Sequence, residues 1–539
     1  MKLLFHPKSI VFLSGIIIIL LIFYVLNIIS VHSVNSKTAN RKTYKNRKQP
    51  FSEKIRKIDI PERIVHIDLK GAPPKISYFS QLLPLLRKMG ATGILLEYED
   101  MFPYSGVLSN VSALNAYTLE DIREIIKFSQ TNNLKVVPFI QVFGQLDFLL
   151  KLGSFVDFRE VPSFPSTICP SDNNTLLLLQ SMIEQVMDVH NTSDMIHIGF
   201  GSVPFLGHCH KCINRMLTQQ LTKTQLFLEH LRWIVKIIKH KNPSLKVLIW
   251  DDFFRTCKQE EVETNFMKTE ITPVVWWYGK DVYDELGPSL WNTYSRIFNN
   301  VWLGSAFKGT SGSSKYVSEI NHYIQNQNSW LSVIEEYQEK INFQGIILTG
   351  RQRYDHFAVL CELLPVGIPA LAMNLRLLQG FKDSPLGPPL EVAKILQCDQ
   401  PYGLIGTAFG SPKCKFPGAD VLEFTIHFHQ LQQDFLEITD DFRVKGWLSD
   451  YNKLHSYSNP KHVEEIAVAL DRIKSELQVV NIGISNAMLK VYDEFTVMEW
   501  LDTYLSPFEK EVSSLWEAKK RILSTTSWQR KPLGHSSEL

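Results

Sequence analysis

The sequence predicts an α/β protein: a (β/α)8 TIM barrel followed by a C-terminal helical domain and preceded by an N-terminal transmembrane helix. Three observations predict it. Between residues 62 and 375 the chain alternates eight continuously apolar strand patterns with helical ones. From about Pro388 the strand patterns cease and long amphipathic segments take over. At the other end, Ile10 to Ile29 carry no charge and are almost wholly apolar. Strands apolar on both faces belong to parallel sheets buried between layers, and eight successive β/α units close a barrel. An open doubly wound sheet is the alternative. The turn after the first strand reads KGAPPK, however, with no G-x-G-x-x-G phosphate loop.

Residues 1–9 form a short tail. The segment IVFLSGIIIILLIFYVLNII, residues 10–29, rises as a helix by 1.5 Å per residue and so spans about 30 Å of hydrocarbon. A cleaved signal peptide has a shorter apolar region, roughly 7–15 residues, so the segment reads as a signal anchor. Residues 30–61 are a basic, polar stalk carrying Lys37, Arg41, Lys42, Lys45, Arg47 and Lys48. Taken literally, the positive-inside rule holds such a segment in the cytosol. Large domains nevertheless translocate largely regardless of charge. The expected product is a single-pass type II membrane protein with its bulk in the endoplasmic reticulum or Golgi lumen; a cytosol-facing anchored protein is the alternative. Glycosylation sequons at Asn110, Asn173 and Asn191 agree weakly with the luminal placement.

In the barrel, residues 62–375, strands are expected at 64–71, 93–100, 134–144, 195–202, 245–252, 272–279, 301–309 and 343–350. Helices are expected at 77–90, 118–133, 176–190, 223–240, 258–268, 289–299 and 315–340, with a last one beginning in HFAVLCELL, 356–364. Thr118 and Asp121 have the spacing of a capping box at the start of the second helix. The C-terminal domain, 376–539, is expected to hold helices at 420–442, 462–480 and 486–523.

The net charge of +2 supplies no basic field for a polyanion, which argues against nucleic-acid binding. Nothing in the sequence points to a cofactor or fixes an oligomeric state. Seven cysteines leave at least one thiol unpaired within the chain. Cys398 and Cys414 bracket a loop rich in Gly and Pro and read equally as a local bridge or as two thiols. The run HCHKC, 208–212, is poorly spaced for a tetrahedral metal cage from one short loop. It reads as a thiol pair or a strained disulfide, and no metal site is assigned.

Barrel enzymes carry their chemistry at the C-terminal ends of the strands. Those ends gather Asp68 and Lys70; Glu97, Glu99 and Asp100; Gln141 and Gln145; Gly201 and Ser202; Trp250, Asp251 and Asp252; Trp276, Trp277 and Tyr278; Ser305 and Lys308; and Arg351, Gln352 and Arg353. The blocks HIDLKGAPPK, ILLEYEDMFPY, FREVPSFPSTICP, WDD, SAFKG and TGRQRYDHFAVLCELLP resemble glycoside hydrolase family 20, in its hexosaminidase D branch.

The resemblance implies a (β/α)8 barrel that removes terminal N-acetylhexosamine with the help of the substrate's own acetamido oxygen. The partner it implies is an N-acetylhexosamine-containing glycan or glycoconjugate. The family motif at the end of strand 4 resembles HIG-x-DE-V. Its Asp orients the acetamido group and its Glu protonates the leaving oxygen. Here the stretch is HIGFGSV, so Gly201 and Ser202 occupy the two positions and no catalytic residue is intact. Loss of a general acid alone costs about 10²–10⁴ in rate. Further departures are Gln145 for the His of F-G-H, Trp277 for the Asp of W-D-Y, and Arg351 for the Trp of T-G-W-Q-R-Y. The substrate-binding set carried over is Gln145, Trp250, Asp251, Trp276, Tyr278, Arg351, Tyr354 and Asp355. The expectation is a disabled or severely impaired member of the family acting as a membrane-anchored glycan-binding or scaffold protein. The alternative is an active exo-β-N-acetylhexosaminidase in which Glu97, Glu99 or Asp251 serves as a relocated acid.

Overall fold

The computed structural model describes residues 60–533, except 258, 263–264, 381–386 and 402–411. The span at 10–29 and most of the stalk lie outside the described residues. Among the described residues no helix is long and apolar enough to cross a membrane. Residues 58–539 form one compact unit.

Eight parallel strands close a barrel: β1 (Glu62–Asp68), β2 (Gly93–Glu97), β3 (Lys135–Phe139), β4 (Met195–His197), β5 (Lys246–Trp250), β6 (Thr272–Trp276), β7 (Asn300–Lys308) and β8 (Asn342–Gly350). Each strand pairs with its neighbours in chain order, and β8 closes onto β1 through Glu62↔Gly345 to Val65↔Leu348. The apolar runs divide by parity, because successive side chains point to opposite faces. Ile64, Leu95, Val137, Met195, Leu248, Val274, Trp302 and Ile347 fill the lumen. Val65, Ile94, Val136, Ile196, Val247, Val275, Leu303 and Ile346 face the helices. That division fixes what each strand presents at the mouth: His66 and Asp68 from β1, Glu97 from β2, His197 from β4, Trp250 from β5 and Thr349 from β8.

The first helices follow the sequence reading closely. Thr118 and Asp121 form the capping box of helix Leu119–Thr131. Three segments differ. β4 ends at His197, not at 202, because Gly199 turns the backbone to φ +70° and its N–H bonds the His197 Nδ1 at 3.1 Å. The segment 356–363 is not helical. His356 is drawn to Glu99 and Glu362 to Gly309, so the last barrel helix starts only at Leu364. The expected helix at 258–268 is two short pieces, Gln259–Val262 and Asn265–Thr269.

The C-terminal helices are Ala419–Asp440, Pro460–Leu489 and Ser506–Ser524, with shorter ones between. The long middle helix buries Val463, Ile466, Leu470, Ile473, Leu477, Val480, Ile484 and Ala487, spaced alternately by three and four. Each fully buried aliphatic side chain of this stripe contributes about 1.5–3 kcal/mol. The single helix expected over 486–523 is broken instead. Asp493 accepts from the Thr496 N–H and starts a new helix, while Tyr492 forms a bridge with Pro74. The break carries Glu499 to the barrel mouth. Cys398 and Cys414 are joined in a disulfide.

Candidate active site at the barrel mouth

The strand ends converge on Lys70, which is 5% exposed. Its ammonium lies 3.1 Å from Asp68, 3.0 Å from Glu97 and 3.3 Å from Glu99. Burial by itself lowers a lysine's pKa. The three carboxylates outweigh it and hold Lys70 above its ordinary value. Burial pushes Glu97 the other way, but Lys70 and then His66, whose Nε2 stands 3.1 Å away, hold it below the carboxylate range. Glu97 is an anion with its lone pairs engaged, not a proton donor.

Glu99 differs. Burial, reinforced by the Glu97 charge, raises it to about 7 against the opposing pull of Lys70 and His356. Its Oε2 lies 3.0 Å from the His356 Nδ1, and its backbone holds φ +47°. Gln145, at φ +56°, accepts at 2.9 Å from the Gln141 amide, which also reaches Glu97 at 3.3 Å. Phe200 and Ser202 likewise have positive φ. Non-glycine residues in this region of φ concentrate at functional sites, and two of these four, Glu99 and Gln145, line the cavity.

The cavity is lined by Glu97, Glu99, Gln145, Trp250, Arg351, Tyr354 and Asp355 of the expected residues, and by His66, Phe139, Asp147, Thr349 and His356, which sequence reasoning did not single out. Its free volume is about 30 Å³, room for little more than ordered water. Small-molecule sites usually offer about 300–1,000 Å³. Arg351 helps to fill the mouth, its guanidinium carbon lying 5.5 Å from the Tyr278 ring centre. Tyr278 in turn stacks on Trp276 at 4.8 Å. The Trp276 indole N–H donates to Asp252 at 2.9 Å.

Of the expected residues, Asp251, Trp276, Tyr278, Gly201 and Ser202 do not line the cavity. Asp251 follows Trp250 and so has the outward parity. It accepts from Arg255 at 2.5 and 2.7 Å and from the Tyr294 hydroxyl at 3.0 Å, itself fully buried behind the strands while Arg255 reaches partly to solvent. Burial raises it to about 6, the charges of Arg255 notwithstanding. It anchors helix Pro288–Ile297 to β5 and does not face the cavity. Asp355 is turned into a local cap, accepting from the N–H groups of Phe357 and Ala358 at 2.8 and 2.9 Å. Gly201 and Ser202 lie beyond the end of β4. A Cβ on Gly201 would sit 3.1 Å from both the Trp250 ring and the Asp252 carboxylate, and Ser202 is exposed.

The barrel and its mouth can be set beside known proteins. A sequence model described as Glycosyl hydrolase family 20, catalytic domain, matches residues 78–289. Human Hexosaminidase D is 35% identical over 460 residues, covering 84% of this chain and 93% of the human one. The Hexosaminidase D of Bos taurus is 40% identical over 317 residues, 59% of this chain and 91% of the bovine one. Among solved structures, a Flavobacterium johnsoniae chitobiase aligns with a TM-score of 0.44 at 14% identity, over 85% of this chain and 71% of that one; so distant a likeness adds no weight. With the length and identity of the match to the human protein, the chain belongs to glycosyl hydrolase family 20, on its hexosaminidase D-like branch.

Proposed function

We propose that this protein is a catalytically disabled or severely impaired hexosaminidase D-like protein, held at a membrane by residues 10–29 and serving as a glycan-binding or scaffold protein. One observation carries the reading: no carboxyl group stands at 201 or 202, and the three named as replacements, Glu97, Glu99 and Asp251, are each paired with a cationic or histidine side chain. Glu97 is neutralised by Lys70 and His66. Asp251 faces the helix layer and pairs with Arg255. The small free volume, with Arg351 lying where the family resemblance expects a tryptophan, agrees with loss of turnover. A capacity to hold a polar ligand, once the Arg351 side chain moves aside to open the small cavity, is supported by the buried His66 Nδ1, which has no hydrogen-bond partner among the described residues. The ligand class follows from the relatives' name: a terminal N-acetylhexosamine.

Luminal placement is supported by exposed Asn110, Asn173 and Asn191 and by the Cys398–Cys414 disulfide, a bond typical of oxidising compartments. The experiment pairs binding with turnover. Purified full-length protein in detergent is incubated with an N,N′-diacetylchitobiose-type disaccharide. The expected outcome is a ligand-dependent rise in Tm with no monosaccharide released. Release of N-acetylhexosamine overturns the reading.

A second reading rests on Glu99. A carboxyl raised to about 7 at the edge of the cavity has the protonation state of a general acid. On this reading the protein is an active exo-β-N-acetylhexosaminidase, and Glu99→Gln abolishes its activity.

A further inference from the structure

The geometry points to a structural zinc site formed by Cys169, Cys209, Cys212 and Glu160, which staples the loop after β4 to a hairpin over the barrel mouth. Glu160 lies on the strand Arg159–Val161, which pairs antiparallel with Phe164–Ile168, and Cys169 follows directly. Cys209 and Cys212 open the helix His210–Gln219. Two donors therefore come from each of two segments. HCHKC alone holds only two of the four donors, so its spacing carries no signal of the set. The histidines of that run are not part of the set: His208 turns its Nδ1 to the Phe205 carbonyl at 2.6 Å.

The four donor atoms lie within 4.8 Å of one another. The Cys169 sulfur is 3.2 Å from that of Cys209 and 3.6 Å from that of Cys212, and the Cys212 sulfur is 3.2 Å from Glu160 Oε2. Zinc bonds of about 2.3 Å to sulfur and 2.0–2.2 Å to carboxylate oxygen give tetrahedral edges of about 3.6–3.8 Å. These three edges need to lengthen by at most about 0.6 Å, and the remaining donor pairs already lie within 4.8 Å, so small side-chain shifts let the cluster accept the ion. A second observation is independent of these distances. Glu160 is 1% exposed, and among the described residues no Lys, Arg or His side chain pairs with it. A carboxylate taken out of water without a cation is costly, and a divalent ion supplies that cation.

The surroundings orient the donors as metal ligands are usually oriented. The other oxygen of Glu160 accepts from the backbone N–H groups of His208 at 2.7 Å and Cys209 at 3.1 Å. The Cys209 sulfur accepts from the Cys212 N–H at 3.3 Å, at the N-terminus of the helix, where a thiolate is favoured. The Ser171 hydroxyl lies 3.1 Å from the Cys212 sulfur. Binding involves no electron transfer: each thiol gives its proton to solvent as its sulfur bonds the ion. Four protein ligands close the shell, so the role is structural. The staple lies where the loop carrying Gly201 and Ser202 meets the hairpin. There Thr167 donates to the Pro204 carbonyl at 2.9 Å and the rings of Phe164 and Phe205 stack at 4.8 Å. This inference stands whether or not the protein turns over a glycoside.

The test is elemental analysis of the full chain, purified in detergent under reducing conditions with zinc chloride supplied and then dialysed. One zinc per chain is expected. Cys169→Ser and Cys212→Ser should lower that at least tenfold, while Cys257→Ser and Cys361→Ser keep it. Because a ligand variant can fail to fold, wild-type protein is also exchanged with cobalt(II). Thiolate-to-cobalt charge transfer together with tetrahedral ligand-field bands is expected. Zinc-free wild-type protein, unchanged zinc in Cys212→Ser, a cobalt spectrum without thiolate bands, or a Cys169–Cys209 disulfide peptide from the non-reduced chain each overturns the site.

Discussion

The Lys70 ammonium lies 3.0 Å from the Glu97 carboxylate at the floor of the barrel mouth, sealed from solvent. The pair uses up the acidic group that a strand-end reading would nominate first as a replacement catalyst. Among the described residues, Lys70 is also the only ammonium paired with the three buried carboxylates Asp68, Glu97 and Glu99. Lys70→Met should destabilise the fold by about 3–5 kcal/mol at neutral pH, since it strands those charges. Urea denaturation measures this. The deficit should shrink as pH falls and the stranded carboxyls take up protons.

Glu362, Glu99 and Asp251 should give the protein a stability that declines from pH 5 to pH 8. Burial raises Glu362 to about 7, although Tyr323, Lys308 and the Gly309 N–H pull it down. Glu99 reaches about 7 and Asp251 about 6, again chiefly through burial. In all three the folded-state value lies above the unfolded one of about 4. The folded state therefore holds extra protons in that window. The stabilisation is full below the unfolded value and is lost as pH rises through the folded one. Glu97, held low, acts in the opposite sense and only at more acidic pH. The limiting slope is about 1.4 kcal/mol per pH unit for each group. Glu362→Gln should flatten the decline, whatever its offset in stability.

Restoring the family carboxylates should recover little. An aspartate at 201 would begin with its Cβ 3.1 Å from the Asp252 carboxylate and against the Trp250 ring. Asp252 already accepts from Trp276. The double substitution Gly201→Asp, Ser202→Glu should stay within about tenfold of the parent in kcat/KM, a difference of about 1.4 kcal/mol. A larger gain would mean that the mouth has kept the rest of its sugar pocket.

Arg353 should be coupled energetically to Glu499. Its two terminal nitrogens each lie 2.5 Å from a Glu499 oxygen, and its Nε donates to the Lys70 carbonyl at 3.1 Å. Bidentate pairs of this kind fix geometry as well as adding energy. Glu499 is partly exposed, which weakens the pair. A double-mutant cycle of Arg353→Ala and Glu499→Ala should give about 0.5–2 kcal/mol of coupling. A value near zero would leave the C-terminal helices held to the barrel by apolar packing and by hydrogen bonds such as those of Thr496 to the Gly71 carbonyl and of Tyr504 to the Leu360 carbonyl.

The barrel was legible because its strands are apolar on both faces, and only a parallel, covered sheet asks for that. Parity along those strands was legible too, though its use stopped short. Counting from the lumen residue Leu248 places Trp250 at the mouth and Asp251 behind it, and counting from Ile64 places His66 beside Glu97. Other parts left no local signal. Phe200 and Gln145 adopt positive φ, which no short sequence pattern records. His356 and Glu499 reach the mouth from a loop and a helix break set by distant contacts. Cys169 and Glu160 join Cys209 and Cys212 only because a hairpin, unread in FREVPSFPSTICP, folds back over the mouth. The span at 10–29 was read from composition alone and lies outside the described residues.

The central claim is that the protein lacks useful turnover and that Glu99, raised to about 7 but held by Lys70 and His356, does not serve as a relocated acid. Its most direct test is the kcat/KM of the purified full-length protein for 4-nitrophenyl N-acetyl-β-D-galactosaminide and the corresponding glucosaminide, measured beside Glu99→Gln prepared identically. The account predicts that the two preparations are indistinguishable and close to the uncatalysed rate. Brisk turnover by the wild type, reduced by about 10²–10⁴ in Glu99→Gln, would contradict it and identify the relocated acid.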